Sequence, residues 1–250
     1  MNFIPNPTVI LPDVSFYQDD NTTTKKIDFV KMKAAGAGGV IIRAGQNSWV
    51  DPDFPDYWIA AKQAGLLRGT YWFYDSRSTP QTQVNLWKSV VGTDYPELGF
   101  YVDLEESYGG VYKGEANWKT FMNALDVAFP QKRKSIYTAN WWWSQQVVND
   151  ISFWSKYPLW VAGYTTNPAN VILPKPWTSA KLWQYTDKGN GNLYGVESLN
   201  IDLNYYNGTL EQFNLEFGVT IPPAPTTTFE PFDLYYVENG VRKVQRFIPQ

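Results

Sequence analysis

The chain has 250 residues, a formal net charge of -3, and neither cysteine nor histidine. This length suits one large domain, with or without a small appendage. The missing residue types exclude disulfides, thiolate chemistry and the Ser-His and Cys-His catalytic pairs, and they remove the two commonest zinc ligands. Weak, interspersed charge argues against nucleic acid as a partner. The 12 Trp, 17 Tyr and 14 Phe exceed what a core requires, so we expect some rings to face a ligand.

Short runs of β-branched and aromatic residues alternate with segments of helical period through the first 205 residues. Eight strands are predicted, at 8–14, 39–44, 68–74, 99–105, 134–139, 158–164, 180–186 and 199–205. Helices are predicted at 27–35, 82–91, 116–128 and 143–150, and segment 187–198 is predicted to be a loop. A further amphipathic helix has Phe54, Tyr57, Trp58 and Ala61 on one face, and Gly65 ends it.

This alternation predicts an α/β fold, an irregular TIM-like (β/α) barrel of eight strands with parallel crossovers and a reduced set of helices. An open doubly wound sheet is the competing arrangement. It is disfavoured because no Gly-rich phosphate loop follows the first strand.

The two ends of the chain differ in composition from the middle. The N-terminal MNFIPNPTVILPD has no basic region and is broken by Pro5, Pro7 and Pro12, so it does not resemble a secretory signal. A Pro/Thr stretch near residue 221 predicts a domain boundary, with the barrel in 1–221 and a linker and hairpin tail in 222–250. Within the tail, Asn239-Gly240 predicts a two-residue hairpin turn.

The run GFYVDLEE carries two carboxylates on one strand face. Asp103 and Glu105 are two residues apart, so they project to the same side near the end of the fourth predicted strand. Like charge and burial among aromatic residues would raise the pKa of one of them, which leaves a protonated acid beside an ionised partner. Glycosidic bond cleavage uses such a pair. A solvated acidic strand end is the structural alternative.

Two more carboxylates fall on the first and last predicted strands. Asp13 ends the first, and Asp202 stands among apolar residues of the last, where an unpaired charge would be excluded from a core. Strands one, four and eight of a closed barrel can bring all four acids to the C-terminal mouth, where barrel enzymes hold their active sites.

Eight motifs follow one another along the chain: DVSFYQ, GVIIRAG, DPDFPDYWIAAKQAGLLRGTYWFY, GFYVDLEE, SIYTANWWW, YPLWVAGY, KLWQYTD and NIDLNYYNG. In order and spacing they resemble the motifs of glycoside hydrolase family 25 muramidases, over roughly residues 9–210. The resemblance implies a lysozyme that cleaves the β-1,4 bond between N-acetylmuramic acid and N-acetylglucosamine in bacterial peptidoglycan. Two positions depart from it, since family members often have His at Trp72 and Arg at Gly163.

By this resemblance Glu105 is the expected general acid/base, with Asp103, Asp13 and Asp202 completing the catalytic cluster. The family is similar to enzymes in which the 2-acetamido group of the substrate is the nucleophile, so Asp103 is expected to orient that group and the product to keep its configuration. Aromatic residues on or near strand ends, with Arg43, are the candidate substrate contacts. They are Tyr71, Trp72, Tyr137, Trp160, Tyr164, Trp183 and Tyr185. Core packing and, for Arg43, a structural salt bridge are the alternatives.

Other functions remain open at this point. Chitinase-like barrels share the strand-borne Asp-x-Glu, but their longer motif would need acids at Leu98 and Tyr101. A cell-wall glycan-binding barrel without catalysis is the other alternative. We expect no metal, no cofactor, no nucleic acid and no membrane insertion. We also expect a monomer, made in the cytoplasm without an export signal, that acts on the cell wall as a phage lysin or virion component.

Overall fold

The computed structural model describes residue 3 and residues 7–19, 22–105, 114–219, 232–238 and 241–247. Nine strands belong to one sheet: β1 (Ile10–Val14), β2 (Gly39–Gln46), β3 (Trp49–Val50), β4 (Leu67–Phe73), β5 (Gly99–Asp103), β6 (Lys134–Ala139), β7 (Leu159–Ala162), β8 (Leu182–Asn190) and β9 (Asn200–Tyr206). Their order is β1-β9-β8-β7-β6-β5-β4-β2-β3, and β1 also pairs with β2. The extra pairing closes eight strands into a barrel and confirms the predicted fold.

The direction of the last barrel strand corrects the predicted topology. Neighbouring strands from β1 through β2 and β4 to β8 pair in parallel. Strand β9 instead runs antiparallel to both β1 and β8. Strand β8 also extends to Asn190 and pairs with β9 there, so the start of the predicted loop 187–198 is strand. The short β3 forms a hairpin with β2.

Six α-helices lie between the barrel strands in the described chain, and a seventh follows the last of these strands. They are α1 (Phe29–Ala34), α2 (Phe54–Gln63), α3 (Pro80–Val91), α4 (Gly114–Ala128), α5 (Asn140–Trp143), α6 (Ile151–Trp154) and α7 (Leu210–Phe217). Helix α2 buries its predicted apolar face. Between β6 and β7 the chain forms only α5 and α6, which have four residues each. This gives the reduced set of helices expected from the sequence.

The predicted helix 143–150 is wrong. The chain forms α5 up to Trp143, leaves the helix, and starts α6 after Asp150. The carboxylate of Asp150 accepts a hydrogen bond from the Phe153 amide, which is the usual capping bond at a helix start. The predicted helix therefore falls on the segment between two short helices, and its last residue caps the second of them. Of the three consecutive tryptophans, Trp141 is 64% exposed and the other two are buried.

Two apolar layers stabilise the barrel. The interior holds side chains such as Leu11, Ile41 and Tyr101, and the larger layer lies between the outer strand faces and the helices, with Trp87 and Phe121 near its centre. Because both faces of most strands are covered, apolar residues occupy both faces, as in parallel sheets generally. This double burial decides below which aromatic rings can reach the active-site cavity.

The chain divides into two compact units, Met1–Phe217 and Gly218–Gln250. In the second unit, β10 (Phe232–Glu238) and β11 (Val241–Phe247) form an antiparallel pair. The Pro/Thr stretch and the predicted Asn239-Gly240 turn lie outside the described residues. In the part of the chain that is described, no helix has the length and apolar character needed to cross a bilayer.

Candidate active site

A cavity of about 260 Å³ opens at the C-terminal ends of the parallel barrel strands. All four carboxylates singled out in the sequence line it. Its walls are formed by Asp13, Ser15, Tyr17, Gln18, Arg43, Gln46, Tyr71, Phe73, Asp103, Glu105 and Asp202. The convergence expected from the strand ends is therefore what the tertiary structure shows.

Backbone register explains how acids so distant in sequence meet. Asp103 is the last residue of β5, and Glu105 follows two residues later on the same side. Asp13 on β1 is the direct partner of Asp202 on β9. Because β9 is antiparallel, its beginning lies at the same mouth as the ends of the parallel strands. Asp202, the third residue of β9, reaches the cavity for this reason.

Two buried amides that the sequence reading missed hold these carboxylates. Asn204 donates from Nδ2 to Asp13 Oδ2 at 2.8 Å and to the Leu11 carbonyl at 2.6 Å. Gln184 donates from Nε2 to Asp13 Oδ2 at 3.0 Å and to Asp202 Oδ2 at 3.3 Å. Strand alternation could have indicated both, since Asn204 is two residues beyond Asp202 and Gln184 two beyond the inward-facing Leu182.

The amide of Gln184 is the centre of a larger network. Its oxygen accepts hydrogen bonds from the Tyr137 hydroxyl at 2.8 Å and the Tyr164 hydroxyl at 3.1 Å. With the two bonds donated to Asp13 and Asp202, the side chain uses its full donor and acceptor capacity. Gln184 is 2% exposed. A buried and fully satisfied amide of this kind fixes the positions of the groups around it.

The carboxylates are held in a setting that disfavours their charge. Burial raises the pKa of Asp103 well above its ordinary value, with further increases from the charges of Glu105 and Asp13, and Arg43 acts in the opposite direction. Within the described structure, Asp103 Oδ1 is buried and has no hydrogen-bond partner. Such an atom is costly in a folded protein and is available to a ligand.

Asp13 and Asp202 follow the same trend to different degrees. Burial raises the pKa of Asp13 to about 6, although the hydrogen bonds from Asn204 and Gln184 lower it. Burial, followed by the charges of Asp13, Asp187 and Glu105, raises the pKa of Asp202 to about 8. The cluster therefore holds fewer negative charges at neutral pH than its four carboxyl groups would in water.

Arg43 is at the cavity wall, but its ion pair is not with the predicted cluster. Its Nε donates to Asp51 Oδ2 at 2.8 Å, and both side chains are buried. Its guanidinium carbon lies 4.8 to 5.1 Å from the ring centres of Phe16, Tyr17 and Trp49. In the described structure its Nη2 is buried without a hydrogen-bond partner. Arg43 thus combines the structural salt bridge with a long-range influence on Asp103.

Four predicted aromatic residues lie inside the barrel or at its mouth. Tyr71 lines the cavity. Tyr137 and Trp160 are buried in the barrel interior, where the Trp160 Nε1 donates to Asn204 Oδ1 at 2.6 Å. Tyr164 is 57% exposed, and its hydroxyl is bound to Gln184. Tyr71 and Tyr164 are thus positioned to touch a ligand, while Tyr137 and Trp160 support the polar network beneath it.

Three predicted sugar contacts face away from the cavity, which corrects the sequence prediction. Trp72 is fully buried and donates from Nε1 to Gln83 of α3 at 3.1 Å. Trp183 donates to the Gly163 carbonyl at 2.7 Å. Tyr185 stacks on Tyr205, with ring centroids 4.2 Å apart. These rings belong to the outer apolar layer, because strand position alone did not tell which of two buried faces each ring occupies.

The sequence reading also missed an aromatic rim beside Asp13. Tyr17 is 65% exposed and lines the cavity, and its ring centre lies 4.1 Å from that of Phe16. Trp49 of β3 meets Phe16 edge to face at 5.9 Å. The run DVSFYQ directly after β1 was the available signal, since residues after a parallel barrel strand reach the active-site face.

The four acids do not form an evident metal site. Among the described residues, no group of three or more His, Cys, Asp or Glu side chains is arranged to hold an ion. The expectation that catalysis needs no metal stays a prediction.

Comparison with known proteins agrees with this geometry. The bacterial lysozyme from Streptomyces coelicolor has a similar structure, with a TM-score of 0.70 and 23% identity over 86% of this chain and 100% of that chain. A family GH25 lysozyme from Aspergillus fumigatus has a TM-score of 0.68 and 26% identity over 83% of this chain and 98% of that one. The first of these likenesses concerns the fold alone.

Comparisons of sequence add a relative and a family model. The chain is 27% identical over 169 residues to the uncharacterized protein YegX of Escherichia coli (strain K12), covering 65% of this chain. The match spans only 56% of that relative's length. The family model described as glycosyl hydrolases family 25 matches residues 13–193, from the first acid of the cavity to beyond Gln184. The chain therefore belongs to glycosyl hydrolase family 25, as its motifs predicted.

Proposed function

We propose that this chain is a lysozyme, an N-acetylmuramidase that hydrolyses the β-1,4 bond between N-acetylmuramic acid and N-acetylglucosamine in bacterial peptidoglycan. One observation carries the proposal: Asp103 and Glu105 share an open cavity at the catalytic face of a family 25 barrel. Bacterial and fungal relatives of similar fold are described as lysozymes and muramidases. The aromatic rim offers flat surfaces for sugar rings.

Glu105 is the group that delivers and removes the proton. Its side chain is only partly buried, at the cavity wall, whereas Asp103 beside it is buried. Glu105 donates its proton to the leaving glycosidic oxygen as the C–O bond breaks. It later accepts a proton from the attacking water. A group that exchanges protons with both substrate and water needs this access.

Asp103 stabilises positive charge rather than forming a bond. In the substrate-assisted route, the acetamido oxygen attacks the anomeric carbon and the positive charge spreads onto the acetamido nitrogen. The unpaired Oδ1 of Asp103 is a ready acceptor for that N–H. Burial opposes a negative charge on Asp103 in the empty site, but a positive charge beside it reverses this preference. The interaction is thus strongest when the charge develops, which favours the transition state over bound substrate.

Asp13 and Asp202 set the field and the shape of the site. Both are bound to the Gln184 amide, and the Asp13 carboxylate also accepts from Asn204. These two carboxyl groups, one buried and one partly buried, lie on paired strands and limit how much charge the cluster carries. They position Gln184 and, through it, Tyr164 at the rim. We assign them an orienting and electrostatic role.

Product analysis tests the activity directly. Peptidoglycan fragments released by the enzyme should carry new reducing ends on N-acetylmuramic acid, observed by mass spectrometry. Glu105→Gln should lower turnover by about 100-fold or more, because the amide cannot donate a proton. Glu211→Gln, on the exposed surface of α7, removes the same functional group and should not alter turnover. Reducing ends on N-acetylglucosamine, or wall binding without release of fragments, would favour the chitinase-like or non-catalytic alternatives.

A substrate change tests the acetamido mechanism. Peptidoglycan lacking the N-acetyl group on the muramic acid has lost the nucleophile, so turnover should fall much more than binding. The first product from normal substrate should keep the β configuration, since two inversions occur, and NMR can identify the first anomer. An α product would mean direct attack by water, with one of Asp13, Asp103 or Asp202 as its general base.

The setting of this activity is a further part of the proposal. We place the enzyme on the bacterial cell wall as a monomer that reaches it at lysis or as part of a virion. Light scattering of the purified chain tests whether it is a monomer. Localisation of the enzyme during lysis of the producing cell tests how it reaches the wall.

A further inference from the structure

A second polar cavity opens at the other end of the barrel, where the parallel strands begin. Its volume is about 420 Å³. It lies beside Leu98 before β5, Lys134 at the start of β6, Pro158 before β7 and Lys181 before β8. The acidic cavity is at the opposite ends of these strands. A ligand at the strand starts would therefore leave the carboxylate cluster free.

The charge of this region is opposite to that of the whole chain. Five cationic and two acidic side chains line the cavity, although the chain carries a net charge of -3. Two of the cations are neutralised locally. Lys134 lies 3.0 Å from Asp126 Oδ1, and Lys181 lies 2.9 Å from Glu216 Oε2. These pairs form the frame of the cavity and leave three positive groups.

The three remaining cations are Lys132, Arg133 and Lys156. Within the described ranges none of them has a carboxylate partner. Each lies near an aromatic ring, with distances to the ring centroid of 4.2 Å from Lys132 to Tyr95, 5.0 Å from Arg133 to Phe217 and 5.4 Å from Lys156 to Phe153. The Arg133 guanidinium also donates to the backbone carbonyls of Glu97 and Glu216. Ring contacts direct a cation without cancelling its charge. Lys132 and Lys156 consequently form an uncompensated positive surface, while the charge of Arg133 is partly offset by its electrostatic interaction with Glu216.

A neighbouring cavity of about 440 Å³ extends the positive one. The two share Lys156, Tyr157, Pro158 and Lys181, so they lie side by side, and together they are called the trough. The extension offers neutral groups, which include Thr178, Ser179 and Asn207. The volumes of the two cavities exceed what one small anion would fill. Cations at one end and neutral hydrogen-bonding groups at the other suit a chain with both charged and hydroxyl-bearing parts.

We propose that this trough binds a phosphodiester-linked polyol chain, an anionic polymer with one negative charge per repeat and free hydroxyl groups. The exposed Lys132 and Lys156 contact the phosphates, Arg133 adds positive charge beside them, and the neutral extension receives the polyol. Lysine binds phosphate as a point charge. The site would hold the enzyme on an anionic surface while the opposite mouth of the barrel stays open.

Titration calorimetry with a synthetic glycerol phosphate oligomer tests the proposal on the full chain. Lys132→Gln combined with Lys156→Gln removes two exposed charges and should weaken binding by about tenfold at low salt. Lys25→Gln combined with Lys88→Gln changes net charge equally at exposed positions outside the trough, so its affinity should match that of the unchanged protein. Unchanged melting temperatures confirm that both double variants are folded.

Four outcomes would overturn the proposal. It fails if the unchanged protein does not bind the oligomer, or if the two double variants lose affinity equally, because binding would then depend only on net charge. Equal affinity for polygalacturonate would show that carboxylates serve as well and remove the assignment to phosphate. Equal affinity for a single-stranded oligonucleotide would remove the polyol from the recognised group. Preference for the glycerol phosphate oligomer, lost only in the trough variant, is the expected result.

Discussion

The two ends of the barrel treat buried charge in opposite ways. Near the start of β4, the fully buried Arg68 lies 2.7 Å from both Asp94 and Glu97 and stacks over Trp58 at 4.2 Å. Bonds from Arg68 and Lys62 lower the pKa of Asp94. Burial raises the pKa of Glu97, but bonds from Arg68 bring it below its ordinary value. Each charge in this cluster around Arg68 has its partner.

At the other end, carboxylates face one another and two amides, and the nearby Arg43 is paired with Asp51 outside the cluster. Burial raises the pKa of Asp13, Asp103 and Asp202 together. A paired buried charge holds the fold, whereas an unpaired one opposes folding and is retained at functional sites. This comparison predicts opposite signs for substitutions at the two ends.

The largest effect on stability is expected from Arg68→Met. The substitution leaves Asp94 and Glu97 without their shared cation, and we expect a loss of about 3 kcal/mol in the free energy of unfolding. Urea denaturation measures it. Turnover per folded molecule should not change, because the site is at the other end of the barrel.

Lys62→Met is the matched control. It removes the other cation bound to Asp94, but this lysine side chain is 59% exposed. Its loss should therefore cost no more than about 1 kcal/mol. Equal losses in both variants would mean that burial does not distinguish the two ion pairs, and the comparison between the barrel ends would lose its basis.

A smaller effect, on chemistry, is expected from Gln184→Met. The variant loses the bonds that Gln184 donates to Asp13 and Asp202, so the pKa of Asp13 should rise above its value of about 6. Turnover should fall by about tenfold as the carboxylates lose their alignment. Carbon-13 NMR of labelled aspartate follows the titration. Tyr164→Phe removes a bond to the same amide without touching Asp13, and there the Asp13 titration should stay in place.

The smallest effect is a pH-dependent gain in stability from Asp202→Asn. The pKa of Asp202 is raised from 3.8 to about 8, so between these values the folded protein binds more protons than the unfolded one. The carboxyl group therefore destabilises the fold progressively as pH rises through that window. The variant should melt about 3 °C higher than the unchanged protein at pH 8 and nearly equally at pH 4.

Asp56→Asn is the control for this titration, since Asp56 is exposed on α2. Its melting temperature relative to the unchanged protein should vary little between the two pH values. If Asp202→Asn raised the melting temperature equally at both pH values, burial of the Asp202 charge would not be the cause.

Sequence patterns predicted most of the barrel because they are local. Strand runs, the apolar face of α2 and the acids at strand ends depend on alternation, which the chain carries in its own order. The prediction of a helix at 143–150 was wrong because the side chain of Asp150 caps the start of a new helix, α6. This capping outweighs apolar periodicity. The antiparallel β9 was missed because strand direction depends on partners far away in sequence.

By itself the sequence determined the residue types of the site: Asp103 and Glu105 on one strand face, Asp13 and Asp202 on others, and the family motifs around them. Only the tertiary structure decided which neighbours these acids have. Both faces of a barrel strand are buried, so alternation could not tell that Trp72 and Trp183 face the helices while Gln184 faces the acids. Hydrogen bonds and pKa values arise from groups brought together by closure of the barrel, and closure is a property of all its strands at once.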